Sequence, residues 1–164
     1  MHKLSAKIQQ LTRAVLFDFK ELFEDNQLIY DELKEKYRED DIIILGYSIG
    51  TGLASKLASE NKPDQLILQA PYYSLTDMMR QRFSFIPTFI LKYKFATNEY
   101  LKNCKMPITI FHGNIDRVIN YKSSLKLKED FTNKIELITL NGQGHNGMTD
   151  NPNYKRELEN ILQE

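Results

Sequence analysis

The aliphatic run at residues 41–46, together with the glycine-rich turn that follows it, constrains the fold more than any other feature. Asp41-Ile42-Ile43-Ile44-Leu45-Gly46 contains four consecutive aliphatic residues, three of them β-branched, between an acid and a glycine. Such a run is typical of a parallel strand buried on both faces. Residues 51–60 follow the turn and have the alanine and leucine content of a helix. The segment therefore predicts a strand, a sharp turn containing Ser48, and a helix.

Alternating strands and helices are predicted over the rest of the chain. Apolar runs predict strands at 66–68, 107–111 and 135–140, and the last alternates enough to lie at a sheet edge. Helices are predicted at 123–131 and 153–162. This alternation predicts an α/β fold with a parallel sheet and helices on its faces. Because ligands bind outside the carboxyl ends of such strands, the residues after each strand are the candidates for a site.

Two segments allow more than one interpretation. Apolar residues recur every three or four positions over 11–37, which predicts a helix, although 15–19 also fits a short strand. Residues 74–102 predict an aromatic-rich, partly helical, lid-like excursion. It either forms a wall for an acyl group or covers a face of the sheet. Its apolar residues include Met78, Met79, Phe83 and Phe85.

Length and composition bound the class of protein. A chain of 164 residues is long enough for one domain, over 1–164, with one hydrophobic core. Its 22 Lys and Arg balance 22 Asp and Glu, so the charge footprint of a nucleic-acid-binding protein is missing. The single cysteine, Cys104, has no His or Cys neighbours at metal-ligand spacing, so neither a metal nor a cofactor is predicted. No membrane span or signal peptide is predicted, and we expect a cytoplasmic location.

Ser48 is the first candidate for chemistry, because Gly46-Tyr47-Ser48-Ile49-Gly50 has the form G-x-S-x-G. A serine nucleophile needs a hydroxyl held clear of its surroundings on a strand-to-helix turn. The same turn directs the first helical amides, here the N–H of Ile49, at the oxygen of a reacting carbonyl. The alternative is a glycine-rich turn with an incidental serine.

Asp116 and His145 are the matching candidates after the third and fourth strands. A carboxylate there holds an imidazole in one tautomer, and a histidine in a glycine-rich loop acts as general base and then general acid. Taken alone, Asp116 also fits a turn or a helix cap. The chain order Ser, Asp, His is one of the known orders of catalytic triads. His112 is interpreted as a packed structural histidine, and Asp77 is the second choice of acid.

With these residues the chain resembles the α/β-hydrolase superfamily, in particular its serine aminopeptidase-like and acyl-protein-thioesterase-like cytosolic branch. The resemblance implies a partial α/β-hydrolase fold with about four parallel strands, in which Ser48 is the nucleophile, Asp116 the acid and His145 the base. It implies a serine hydrolase that cleaves an ester, thioester or amide of a small acyl substrate without a cofactor. Substrate contacts are expected from Tyr47, Met78, Met79, Phe83 and Phe85. The resemblance is carried by residues 42–52, 68–75, 107–119 and 144–145.

The sequence departs from this family before the serine. Members carry about four further strands there, and one of them ends in a loop that supplies a second oxyanion amide. Nothing in this sequence corresponds to that loop, so we expect an N-terminally truncated or reduced hydrolase with weakened activity. The alternative function is a non-catalytic remnant that acts as a binding or interaction module. The strand at 42–45 is also expected to present an unpaired edge through which the chain self-associates.

Overall fold

A four-stranded parallel sheet forms the centre of the chain. The computed structural model describes residues 21–82 and 95–163. The strands are β1 Ile43–Tyr47, β2 Gln65–Gln69, β3 Ile108–Gly113 and β4 Ile135–Leu140. They lie in the order β1-β2-β3-β4. Each neighbouring pair is parallel, and β4 lies at an edge, as the sequence predicted.

Helices follow each strand. The predicted helices after β1, β3 and β4 are confirmed to within one residue at each end. The first predicted helix ends at residue 34, earlier than predicted, because the amides of Lys36 and Tyr37 both bond to the carbonyl of Leu33 in a terminal turn. Its N-terminal part, including the alternative strand at 15–19, lies outside the described residues. The helices are α1 21–34, α2 Gly50–Glu60, α3 Leu75–Arg82, α4 Thr97–Leu101, α5 Lys122–Asp130 and α6 Pro152–Ile161.

Two apolar clusters cover the two faces of the sheet. On one face, Leu66 and Ile110 are fully buried beneath side chains from α1, α2 and α5. On the other face, Ile67 and Phe111 are buried beneath Tyr154 of α6. Successive strand residues thus point to opposite clusters, which is the alternation of a pleated sheet covered on both faces.

The first strand is not buried on both faces, and that prediction is wrong. Ile44 is 8% exposed, whereas Leu45 is 49% and Tyr47 40% exposed. Within the described ranges, β1 pairs only with β2 and therefore lies at the second edge of the sheet. On the face of Leu45 and Tyr47, α6 packs mainly over β2, β3 and β4, so the outer part of β1 stays open.

Two glycines allow backbone segments to approach closely beneath the carboxyl ends of the strands. A Cβ atom on Gly46 would lie 2.6 Å from the Cβ of Ala54, so glycine allows α2 to fold back on β1. A Cβ atom on Gly113 would lie 2.2 Å from the carbonyl oxygen of Gln143. Gly113 therefore sets how closely the loop after β4 approaches the end of β3.

Replacing Gly113 by alanine should destabilise the chain by about 1–3 kcal/mol, the usual cost of overpacking. The obstructing atoms belong to backbone, so they cannot rotate away. Gly50→Ala is the matched control, since nothing lies within 4 Å of its added Cβ and alanine favours a helix. Urea unfolding of both variants measures the difference. Equal stability of the two variants would contradict the close approach.

Candidate functional site

The turn after β1 holds Ser48 in a left-handed backbone conformation, with φ of 53°. This conformation is unfavourable for a residue with a side chain and persists only when neighbouring contacts fix it. Its amide donates to the carbonyl of Gln69 at 2.9 Å, and its own carbonyl accepts from the Thr51 amide at 3.0 Å. The Thr51 hydroxyl donates to the same carbonyl at 2.7 Å. The turn is thereby fixed from both β2 and α2.

The carboxylate of Asp116 lies in the loop after β3 and is held by the backbone of its own turn. Its Oδ1 accepts hydrogen bonds from the amides of Val118 at 2.7 Å and Ile119 at 2.9 Å. Its side chain is fully buried. Asp116 therefore fits both sequence-based interpretations, the turn residue and the acid. Its Oδ1 closes the turn, and its Oδ2 faces His145.

His145 joins the two residues. Its Nδ1 lies 2.6 Å from Asp116 Oδ2, and its Nε2 lies 2.9 Å from Ser48 Oγ. The carboxylate accepts only, so Nδ1 carries a proton and Nε2 is free to accept the proton of the serine. The structure thus brings together the three residues singled out in the sequence, each after a different strand.

Electrostatics keep Asp116 ionised. Burial alone would raise the pKa of its carboxyl group. The hydrogen bonds from His112 and His145, with those of the two amides, outweigh burial and lower the pKa from 3.8 to about 2. At neutral pH the carboxylate therefore carries a full negative charge with which to stabilise a protonated His145.

Tyr47 packs directly against His145. The two rings stack with centroids 5.3 Å apart, and the Tyr47 hydroxyl donates to the backbone carbonyl of His145 at 2.9 Å. Burial and the charge of Asp116 raise the pKa of Tyr47, so its hydroxyl stays protonated as a donor. Tyr47 was predicted to contact substrate, and the structure adds a contact with the histidine loop that the sequence did not indicate.

His112 and Asp77 lie in different surroundings. His112 is fully buried, as a packed structural histidine would be, but its Nε2 also lies 3.3 Å from Asp116 Oδ2. This contact was not expected from the sequence, although the two residues lie only four positions apart, at the end of β3 and in the loop after it. Asp77, the second choice of acid, pairs with Lys126 of α5 at 2.8 Å.

The other predicted site residues are placed only in part. Ile49 is 47% exposed at the start of α2, next to Ser48. Met78 packs partly buried against a cluster that includes Tyr72 and Ile119. The side chain of Met79, and all of Phe83 and Phe85, lie outside the described residues. Their predicted substrate contacts stay predictions.

A small hollow borders the site. It has a volume of about 130 Å³ and is lined by Tyr47, Gln69 and residues 146–149. Within the ranges 21–82 and 95–163, no group of three or more His, Cys, Asp or Glu could hold a metal ion. None of the helices described is long and apolar enough to cross a membrane.

The depressed pKa of Asp116 should make the free energy of unfolding depend on pH. A carboxyl pKa lowered by folding adds stability that is complete above the unfolded value, 3.8, and disappears as pH falls toward about 2. As the pH falls through this range, the free energy of unfolding of the parent should decrease by about 2 kcal/mol more than that of Asp116→Asn. Urea unfolding from pH 7 to pH 2.5 measures the difference. Asp64→Asn, at an exposed position outside the site, is the control, and identical curves for Asp116→Asn and the parent would contradict the prediction.

Comparison with known proteins identifies the family. The family model for serine aminopeptidase, S33, matches residues 9–101. Alpha/beta hydrolase domain-containing protein 17B of Homo sapiens is 30% identical over 146 residues, which cover 88% of this chain and 49% of that protein. Lysophosphatidylserine lipase ABHD12 of Macaca fascicularis is 26% identical over 118 residues, covering 60% of this chain and 30% of that protein.

A solved structure shows the same fold. Acetyl xylan esterase from Paenibacillus sp. R4 superimposes with a TM-score of 0.71 at 13% identity, covering 88% of this chain and 52% of the esterase. The chain spans about half the length, or less, of the curated relatives it matches. Since the family model matches more than half of its residues, the chain belongs to the serine aminopeptidase (S33) family of the α/β-hydrolase superfamily.

Proposed function

We propose that this chain is a serine hydrolase that cleaves an acyl bond through a covalent intermediate on Ser48. The observation that supports this most is the continuous path of hydrogen bonds from Ser48 Oγ through both nitrogens of His145 to Asp116 Oδ2, at 2.9 and 2.6 Å. Those distances lie within the range needed for proton transfer between nucleophile, base and orienting acid.

The proposed reaction has two halves. Ser48 Oγ attacks the carbonyl carbon of the substrate while its proton passes to His145 Nε2, and the tetrahedral intermediate expels the leaving group as His145 returns that proton to it. Water then attacks the acyl-enzyme while His145 Nε2 accepts a proton from the water. Collapse of this second tetrahedral intermediate breaks the acyl–Oγ bond and releases the acid product as His145 returns the proton to Ser48 Oγ. Asp116 stays ionised throughout and stabilises the imidazolium.

Oxyanion stabilisation is proposed from the amide of Ile49. This residue directly precedes α2, where backbone N–H groups lack helical partners and the helix dipole favours negative charge. The exposed position of Ile49 leaves room for a carbonyl beside Ser48. A second donor would add about a hundred- to a thousandfold in rate.

The proposed substrate is a small acyl ester, thioester or amide. The names of two similar proteins, a lysophosphatidylserine lipase and an acetyl xylan esterase, are those of ester-cleaving enzymes, which favours an ester. The hollow of about 130 Å³ beside Tyr47 fits an acyl group of only a few atoms. We further propose a cytoplasmic location, in keeping with the free, buried thiol of Cys104.

A binding or interaction module is the second candidate. It is favoured by the outer edge of β1, which pairs with no further strand in the described part of the chain and has the exposed Leu45 and Tyr47 beside it. Among the described residues, the proposed mechanism also assigns the oxyanion role to the Ile49 amide alone. In this case the hydrogen-bonded residues would be retained from a hydrolase without supporting turnover.

Labelling with a fluorophosphonate distinguishes these functions. The parent should be labelled at Ser48, and Ser48→Ala should not. Asp116→Asn should lower the labelling rate by roughly 10⁴-fold, because the imidazole loses the acceptor that fixes its tautomer. Mass spectrometry locates the adduct, and circular dichroism checks that each variant is folded. Absence of labelling in a folded parent would favour the binding module, and equal labelling of Asp116→Asn would show that Asp116 is not the acid.

We also propose that two copies of the chain associate through the outer edge of β1. In the described part of the chain this edge pairs with no other strand, and Leu45 and Tyr47 lie exposed beside it. A two-fold axis at the edge would pair β1 with β1 of the second copy in antiparallel register. The zero net charge adds no global repulsion between copies.

Sedimentation equilibrium at micromolar concentration tests this association. The parent should form dimers, and Leu45→Lys should shift the equilibrium to monomer, since an edge lysine opposes strand pairing. Leu125→Lys is the matched control, because Leu125 of α5 is 46% exposed but lies away from β1. A monomeric parent, or equal effects of the two lysines, would show that β1 is not the interface.

A further inference from the structure

We propose that His112 is a positioning residue of this site, which holds Asp116 in place from the side opposite His145. This inference rests on the proposed hydrolase function. It assigns a role in the reaction to a histidine that the triad does not include. Four observations carry it: the burial of His112, its hydrogen bonds, the geometry of the carboxylate and the connection to α5.

The surroundings of His112 make its Nε2 a donor. Its Nδ1 lies 2.6 Å from the hydroxyl oxygen of Ser124, and its Nε2 lies 3.0 Å from the carbonyl oxygen of Ile119. A carbonyl only accepts, so Nε2 carries a proton. Asp116 Oδ2, 3.3 Å from Nε2, lies close enough to share that proton. The N–H of His112 therefore lies between a carbonyl and a carboxylate.

The carboxylate of Asp116 consequently has partners on both oxygens. Oδ1 accepts from the two amides of its turn, Oδ2 accepts from His145 at 2.6 Å, and Nε2 of His112 approaches Oδ2 at 3.3 Å. Rotation of the carboxylate about its Cβ–Cγ bond would break bonds on both oxygens. His112 thus fixes the direction from which Asp116 meets His145.

The contact also divides the charge of Asp116 between two imidazoles. A donor on Oδ2 reduces the negative charge available to a protonated His145 and makes the carboxylate a weaker partner for it. The titratable groups that face Asp116 are His112 from β3, His145 from the loop after β4 and Tyr47 from β1. Those that face His112 are Asp116 and Tyr121, whose ring packs edge-on at 5.5 Å. Removing His112 should therefore strengthen the pairing between Asp116 and a protonated His145.

His112 also connects the site to a helix that carries none of the three proposed catalytic residues. Ser124 lies on α5 and is fully buried. The hydrogen-bond path accordingly runs from Ser124 through His112, Asp116 and His145 to Ser48. A substitution at Ser124, at the far end of the path, should therefore change the reactivity of the Ser48 hydroxyl.

The experiment compares His112→Leu, which removes the donor, with His112→Gln, whose amide nitrogen can replace Nε2. Two quantities are measured: the rate of fluorophosphonate labelling of Ser48 against pH, and the ¹³C titration of the Asp116 carboxyl group. In His112→Leu the pKa of Asp116 should rise from about 2. On the acidic side of the profile, where the labelling rate falls with decreasing pH, the curve should shift to higher pH by about one unit. At a fixed pH in this region, the labelling rate should therefore be about tenfold lower than in the parent. His112→Gln should restore both toward the parent.

Tyr121→Phe is the structural control, since it keeps the ring against His112 and removes only the hydroxyl bonded to Thr139. It should leave both profiles unchanged. If His112→Leu does not fold, Ser124→Ala takes its place and should move both profiles in the same direction by a smaller amount. The proposal would be overturned if folded His112→Leu, or Ser124→Ala in its place, had the same labelling profile and the same Asp116 titration as the parent. If the parent is not labelled at all, the hydrolase proposal fails separately, and the titration of Asp116 still decides the role of His112.

Discussion

The buried carboxylate of Asp116 is the group on which the arrangement of the site depends. It connects the turn after β3 to the loop after β4: Oδ1 accepts from two amides, and Oδ2 accepts from His145 and lies 3.3 Å from Nε2 of His112. A buried charge without partners would be costly, so the position of Asp116 depends on these contacts as much as His145 depends on Asp116. Because these contacts lower the pKa of Asp116 to about 2, the carboxylate is charged at neutral pH. In the proposed mechanism, stability and reactivity therefore depend on the same contacts of this carboxylate.

The parallel sheet explains why residues so far apart in sequence meet at one place. The carboxyl ends of β1, β3 and β4 lie at the same end of the sheet, and Ser48, Asp116 and His145 each follow one of them. Close approach of the loop after β4 to the end of β3 then brings His145 near Asp116. Gly113 allows the backbone at Gln143 to lie against the end of β3, and the loop that carries His145 begins there. Tyr47 then contacts this loop from β1 through a ring stack and a hydrogen bond.

Much of this arrangement could be predicted from sequence, because its signals are local. The aliphatic runs, the G-x-S-x-G turn and the order of Ser48, Asp116 and His145 each depend on neighbouring residues or on the alternation of strands and helices. The contact between His112 and Asp116 could not be predicted in this way, since a histidine packed by apolar neighbours and one that also donates to a carboxylate have the same sequence pattern. The exposure of Leu45 was missed for a related reason. An aliphatic run indicates burial, but whether a helix reaches the outer strand depends on the packing of α6 over β2–β4.

The hydrogen-bonded path of the site and its proposed oxyanion position involve different residues. Ser48 and Asp116, the proposed nucleophile and acid, each lie within hydrogen-bond distance of His145, the proposed base. His112 of β3 and Tyr47 of β1 contact Asp116 and His145. Oxyanion stabilisation in the proposed mechanism relies on the Ile49 amide, at the end of the edge strand. Reaction with a fluorophosphonate and attack on an ester carbonyl both need an activated serine, and both develop negative charge on an oxygen beside that serine. Only turnover also requires water to release the acyl group. In the proposed mechanism, loss of the path from Ser124 to Ser48 should therefore slow both reactions, whereas slow release of the acyl group should slow turnover alone. A chain that is labelled readily but turns over slowly would have its deficit in the second half of the reaction.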